Sequence, residues 1–271
     1  MDEKIKNIQN TASHRKSSKI IFMLGVIGVF VLALSIVISI VLLLFPVNDF
    51  EVTGDSRYDY AQIIEASGIK KGARLYYVNE EKAERKILSQ MPYLESVKVT
   101  SYFPNRVKIE IKEFEDIYLV KHELGFCYVN GDFEILEIVE GAPSYEKFTG
   151  IFVKLEGVLT GEIGAKYSGD DVQRVKALVL LLKEYGFYEY LDIIDVDDKY
   201  NNSFVVDKKI KFILGAMTDI EEKIEVSFKV CFSDNFKREE NYIIDSTDKK
   251  RVVLRYITDE KIREEFDFCE K

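Results

Sequence analysis

The sequence predicts an α+β protein made of one N-terminal transmembrane helix, a strand–helix–helix–strand–strand module, and a mostly β domain carrying two helices. Three observations predict it. The run from Ile20 to Phe45 is apolar and holds no charge, strand alternation begins straight after Pro46, and two amphipathic helical stretches stand among short apolar runs beyond residue 115. The expected segments are a tail over 1–19, the spanning helix over 20–45, the module over 46–114, the β domain over 115–258 and a C-terminal tail over 259–271.

At about 1.5 Å of rise per residue the apolar run would reach about 39 Å, against a hydrocarbon core of about 30 Å. A lone span must satisfy its own backbone hydrogen bonds, so it is a helix, with Ser35 and Ser39 able to bond back to carbonyls within it. A cleaved signal peptide has a shorter apolar region ending in a small-residue site, and Phe45-Pro46-Val47-Asn48 offers none. A buried soluble helix would carry a polar stripe, and this one has none.

The flanks set the expected orientation. Lys4, Lys6, Arg15, Lys16 and Lys19 stand before the span against Asp2 and Glu3, while no Lys or Arg follows it until Arg57. The positive-inside bias therefore puts the N-terminus in the cytoplasm and the C-terminus outside. The whole chain carries −9, so with +3 in its first 19 residues about −12 falls on the rest. That acidic outer part is unsuited to nucleic acid. With 47% hydrophobic and 31% charged residues the whole chain has the composition of a folded protein. Cys127, Cys231 and Cys269 are widely spaced without a C-x-x-C, which argues against a disulfide framework and a zinc site and leaves a single bridge open.

In the module, Phe50 and Val52 form a short strand running into Gly54-Asp55. Tyr60, Ile63 and Ile64 share a helical face, and the loop GIKKG from Gly68 to Gly72 ends that helix. Asn79 caps a second helix with Glu80 and Glu81 in its first turn, Ala83, Ile87 and Met91 facing inward, and Pro92 stopping it. Val97 and Val99, then Val107, Ile109 and Ile111, alternate with polar residues on either side of Tyr102-Phe103-Pro104-Asn105, which is a hairpin with one buried face. Three strands with two helices on the apolar face close a small core. Tyr60, Tyr76 and Tyr77 are candidate surface anchors, with half or more of them expected in the core.

In the β domain the Asn130-Gly131 pair sits between two apolar runs as a hairpin turn. Phe152, Val153, Leu155, Val158 and Leu159 belong to extended structure. Ser168 with Asp171 reads as the capped start of a helix whose Val172, Val175, Val179 and Leu182 share a face and which stops at Gly186. Ile193 to Val196, Phe204 to Val206 and Phe212 to Gly215 read as strands. Thr218 with Glu221 reads as a capping box for a helix with Ile220, Ile224, Phe228 and Cys231 along one side. A last hairpin pairs Tyr242-Ile243-Ile244 with Val252 to Ile257, and the tail from Asp259 is acidic and briefly helical.

Taken together, Phe50-x-Val52-x-Gly54, the Gly68 to Gly72 loop followed by Leu75, Pro92-Tyr93-Leu94-x-x-Val97-x-Val99 and Phe103-Pro104-Asn105-x-Val107-x-Ile109-x-Ile111-x-Glu113 resemble the membrane-proximal POTRA domain of the bacterial cell-division family FtsQ/DivIB. The helix over 170–185, Ile193-Ile194-Asp195-Val196, Phe212 to Gly215, Lys223-Ile224 and Ile243-Ile244-Asp245 resemble that family's β domain. The segment from Glu140 to Gly150 departs from its pattern and leaves the strand register there open. The resemblance implies a non-enzymatic scaffold at the division septum with FtsL-like and DivIC/FtsB-like coiled-coil partners.

The residues offer little for catalysis. His14 lies on the cytoplasmic side, His122 in KHELG has no patterned nucleophile and reads as a surface or strand-end histidine, and no G-x-S-x-G or S-x-x-K is present. No catalytic residue, metal ligand, cofactor or small-molecule substrate is therefore expected. An open strand edge offers a binding role instead, since it accepts a partner strand through backbone hydrogen bonds. The candidate partner-binding residues are Arg251, Val253, Arg255, Tyr256 and Ile257, with Val252, Leu254 and Tyr256 on the inner face of the same strand. The rival reading is a membrane-anchored extracellular enzyme or ligand sensor with a carboxylate site around Asp195 and Asp197; as calcium ligands, Asp195, Asp197 and Asp198 lack the glycine and distal glutamate of an EF-hand loop.

Overall fold

The computed structural model describes residues 22–40, 45–141, 150–233, 236 and 240–264. The sequence-based expectations for the N-terminal tail with His14, for the interior of the Glu140–Gly150 segment and for Cys269 lie outside these residues. The chain divides into two compact units, Met1–Glu113 and Phe114–Lys271.

The first unit begins with helix α1, Phe22–Ile40, 19 residues with a mean hydropathy of 2.8 and fully exposed sides. Strand β1 (Asp49–Thr53), helix α2 (Tyr60–Ser67), a 3-10 turn (Leu75–Tyr77), helix α3 (Glu80–Gln90) and strands β2 (Leu94–Tyr102) and β3 (Arg106–Glu113) follow. The sheet order is β1-β3-β2, with β1 parallel and β2 antiparallel to the central β3. Ile63, Ala83 and Ile87 from the helices pack on Val99, Val107 and Ile109. Asp59 and Gln62 form a reciprocal capping box on α2, a signal the sequence reading missed, and Asn79 accepts from the Lys82 N–H at 2.8 Å on α3. At Gly54, φ is +118° and an added Cβ would lie 2.1 Å from the Ile111 carbonyl oxygen, so only glycine fits. Tyr60, which opens α2, and Tyr76 and Tyr77 on the 3-10 turn are all exposed, and none is a core residue.

The second unit is a nine-stranded sheet in the order β12-β11-β10-β9-β8-β7-β4-β5-β6. Its strands are β4 (Ile117–His122), β5 (Gly125–Asn130), β6 (Ile135–Val139), β7 (Ile151–Lys154), β8 (Leu191–Asp195), β9 (Asn202–Val206), β10 (Ile210–Gly215), β11 (Tyr242–Asp248) and β12 (Arg251–Tyr256). Helix α4 (Asp170–Glu184) connects the parallel neighbours β7 and β8, and α5 (Ile220–Cys231) connects the parallel neighbours β10 and β11. Two crossovers of the same hand, moving the same way along the sheet, put both helices on one face. Val175, Leu178, Leu182 and Ile224 from the helices meet Phe204 and Phe212 there. A smaller cluster of Leu119, Phe126, Phe152, Ile193, Val205 and Ile257 occupies the other face. Helix α6, Asp259–Glu264, is the short helix expected in the tail beyond the two helices of the β domain.

Several local expectations change. Strand β4 went unread because Ile117 to Val120 is continuous rather than alternating, as suits a strand buried on both faces. The β5–β6 turn is longer than the Asn-Gly pair: the Asn130 side-chain oxygen accepts from Asp132 and Glu134 N–H, both at 3.0 Å, and Phe133 is buried at φ +60°. Gly169, not Ser168, is the N-cap of α4, without a side-chain cap bond. Asp219, at φ +54°, replaces the Thr218 and Glu221 box on α5, and Lys249 steadies that turn through Asp219 and Glu222 at 3.2 and 2.9 Å. Cys127 is a free buried thiol whose pKa burial pushes up to about 12.

Candidate interaction edge

The strand proposed from sequence is the terminal strand of the nine-stranded sheet. β12 pairs antiparallel with β11 in the register Tyr256↔Tyr242, Arg255↔Ile243, Leu254↔Ile244 and Val253↔Asp245. Two buried contacts tie α5 to β11, the strand that carries β12, and to the end of β10. Ser227 on α5 shares a 2.7 Å hydrogen bond with Ser246 on β11, and Lys223 donates to the Ala216 carbonyl at 2.8 Å, with burial lowering its pKa.

The backbone phase of β12 follows from one bond. The Ile257 N–H donates to the Asn241 carbonyl at 3.0 Å. In an antiparallel pair the bonded and non-bonded positions alternate, so Arg255 and Val253 turn their backbone groups toward β11. Leu254 and Tyr256 turn theirs outward, where no described strand pairs with them.

The side chains divide differently. Ile244 and Tyr242 face the helices, so Leu254 and Tyr256, opposite them, lie on the helix-side face as expected. They are not covered there: Leu254 is 46% exposed and Tyr256 66%, because α5 packs over β10 and β11 and only Val252 reaches the core. Val253, Arg255 and Arg251 are also exposed, and Arg255 pairs with Asp245 at 3.2 Å. Burial opposes ionisation of Asp245, but hydrogen bonds from Thr247 and the Arg255 charge outweigh it and hold that pKa low. Ile257 is the exception among the sequence candidates, buried in the opposite-face cluster. Its side chain packs inside the sheet's second face and is not offered at the edge.

The structure therefore unites Arg251, Val253, Arg255 and Tyr256 on one open edge and adds Leu254. Sequence reasoning placed Leu254 inside because alternation gives the face of a residue but not the reach of the helix above it.

The groups of the rival carboxylate site close turns. Asp195 binds Lys154 at 3.1 Å and accepts from the Asp197 N–H at 3.3 Å, and Asp198 accepts from the Tyr200 N–H at 2.8 Å. Burial and the neighbouring Asp195 raise the Asp197 pKa. His122 ends β4 but is buried, not at the surface, with Nε2 3.0 Å from the Gly161 carbonyl and Nδ1 accepting from the Leu124 N–H at 3.2 Å. Among the described residues, no three His, Cys, Asp or Glu side chains group as a metal site needs.

A β-α-α-β-β unit followed by a mostly β unit defines a POTRA-type protein, and the apolar N-terminal helix before them fits a single-pass membrane anchor. Residues 45–114 match the family model described as the FtsQ-type POTRA domain. The chain is 24% identical over 242 residues to the cell division protein DivIB of Clostridium botulinum strain Hall, covering 85% of this chain and 90% of that protein. It is 25% identical over 202 residues to DivIB of Clostridium acetobutylicum, covering 73% and 78%. It is 34% identical over 124 residues to the cell division protein FtsQ of Corynebacterium glutamicum, covering 46% and 54%. Residues 45–114 thus carry an FtsQ-type POTRA domain, and the similarity of most of the chain to FtsQ and DivIB cell-division proteins supports a role in division.

Proposed function

We propose that this protein is a non-enzymatic, bitopic scaffold of the division machinery, with its N-terminus in the cytoplasm and both folded units outside, concentrated at the septum. It binds FtsL-like and DivIC/FtsB-like coiled-coil proteins, and β12 accepts an extended segment of one of them as an added strand. The observation that carries this reading is the terminal strand whose Leu254 and Tyr256 present backbone groups outward between exposed side chains on both faces. Such an edge supplies affinity through main-chain bonds and selectivity through alternate side chains. Orientation rests on the basic flank before α1.

The test is a pull-down with the tagged full-length chain in detergent and the two small coiled-coil partners. The wild type retains both, and Tyr256→Asp releases at least one while the thermal unfolding curve stays in place. Retention of both partners by Tyr256→Asp and by a proline at Val253 would remove β12 from the account.

A further inference from the structure

We infer that the POTRA unit holds a second binding site, a cation-lined pocket that takes the phosphate headgroup of an anionic lipid from the membrane in which α1 sits. The pocket is a cavity of about 520 Å³ between the end of α2, the GIKKG loop, the 3-10 turn and α3. Lys70, Arg74, Lys82 and Lys86 line it, and no carboxylate does. That is four positive side chains together on a chain of net charge −9.

Helix α3 shows how the charges are sorted. Its sequence mixes glutamates and lysines, but Glu80 and Glu84 turn to the sheet, accepting from Ser101 N–H at 2.6 Å and Val99 N–H at 2.9 Å. Glu81 faces Arg85 at 3.8 Å. Lys82 and Lys86, one turn apart, are left on the pocket side, and neither they nor Lys70 and Arg74 form an ion pair with any described residue. Gly68 makes room for Lys86, whose Nζ would lie 2.5 Å from a Cβ at that position.

Connectivity selects the kind of anion. The pocket loop is bonded to the first residues after the span: Gly72 N–H to Val47 O at 2.8 Å, Val47 N–H to Ala73 O at 2.7 Å and Leu75 N–H to Phe45 O at 3.1 Å. From Ile40 to Phe45 the chain reaches at most about 18 Å, so the pocket stays on a short leash from the headgroup layer. Aromatic side chains rim the same end of the unit. Tyr76, Tyr77 and Phe103 are about two-thirds exposed, and Phe103 sits edge-on to Phe45 with ring centroids 4.7 Å apart. Basic groups beside exposed aromatics are the composition of a membrane–water interface. An acidic peptide would match the charge but leave the aromatic rim at the chain exit unused.

The inference rests on α1 as an anchor, and the experiment separates the two. The full-length chain is placed in phosphatidylcholine nanodiscs with or without phosphatidylglycerol, and amine labelling at each lysine is read by mass spectrometry. Phosphatidylglycerol should slow labelling of Lys70, Lys82 and Lys86 about fivefold, the weight of one basic residue at an anionic surface, and high salt should restore it. In a Lys82→Glu/Lys86→Glu variant with an unchanged melting curve, Lys70 should lose its protection. Equal labelling in both discs overturns the proposal. So does equal protection by millimolar glycerol phosphate in phosphatidylcholine discs, which makes the ligand a free phosphate, and so does protection by polyglutamate alone, which makes it an acidic segment. A chain that fails to enter discs removes the anchor and the lipid site with it.

Discussion

Asp192 shows how a single buried group shapes a turn and a pH response. Its Oδ2 accepts from the Lys208 N–H at 2.6 Å, holding the β9–β10 turn in which Asp207 and Lys208 take φ of +54° and +52°. Burial raises its pKa from 3.8 to about 6, against the opposing pull of the Lys208 N–H. The folded state therefore binds a proton between pH 4 and 6 that the unfolded state does not. This contribution grows as pH falls through that window, and above about 6 the ionised group is a constant cost. Asp192→Asn keeps an acceptor for Lys208 without the charge. It should stabilise the second unit by about 1 kcal/mol at pH 7, after allowance for partial solvent contact, and the gain should vanish near pH 4. Thermal unfolding of variant and parent at both values checks this. At this scale the sequence was legible where a residue acts on its neighbours: Asn79 caps α3 and Gly54 takes its turn as read. The caps at Gly169 and Asp219 were not, because neither uses a side-chain cap bond, the signal that a capping motif reads. The burial of His122 was hidden too, since its partner Gly161 is 39 residues away.

Among the elements, β12 is where fold and binding part company. Leu254 and Ile257 are apolar residues three positions apart, one at the open edge and one inside the opposite-face cluster. Ile257→Ala should destabilise the second unit by about 2–5 kcal/mol, as truncation in a packed cluster does. Leu254→Asp should change stability by less than about 0.5 kcal/mol and abolish partner retention. Denaturant unfolding beside the pull-down distinguishes them, and a Leu254→Asp protein that unfolds would show that the edge is structural. Period-2 alternation gave the faces of β2, β3 and β12, and helical spacing gave α3, α4 and α5. It could not reveal β4, whose apolar run lacks alternation, nor that α5 stops over β11, because both depend on which strands become neighbours.

For the whole molecule, physical chemistry and family resemblance contributed different parts. Length and charge alone predict the anchor, and the described helix Phe22–Ile40 fits one. The order of strands and helices along the first unit follows from local pattern, while the pairing of β1 with β3, 57 residues on, does not. The nine-strand order of the second unit does not, since β4 lies beside β7 and β6 ends the sheet. The division role came from motif order matched across the chain and is carried by the relatives. The central claim is that an anchored sheet recruits its partner by lending the outward backbone of one strand. Hydrogen exchange resolved to single amides, on the full-length chain with and without the coiled-coil partners, tests it most directly. The amides of Leu254 and Tyr256 should slow about tenfold on binding, the effect of one gained hydrogen bond, while those of Val253 and Arg255, already bonded to β11, change little. Bound partner with unchanged exchange at Leu254 and Tyr256 would contradict the account.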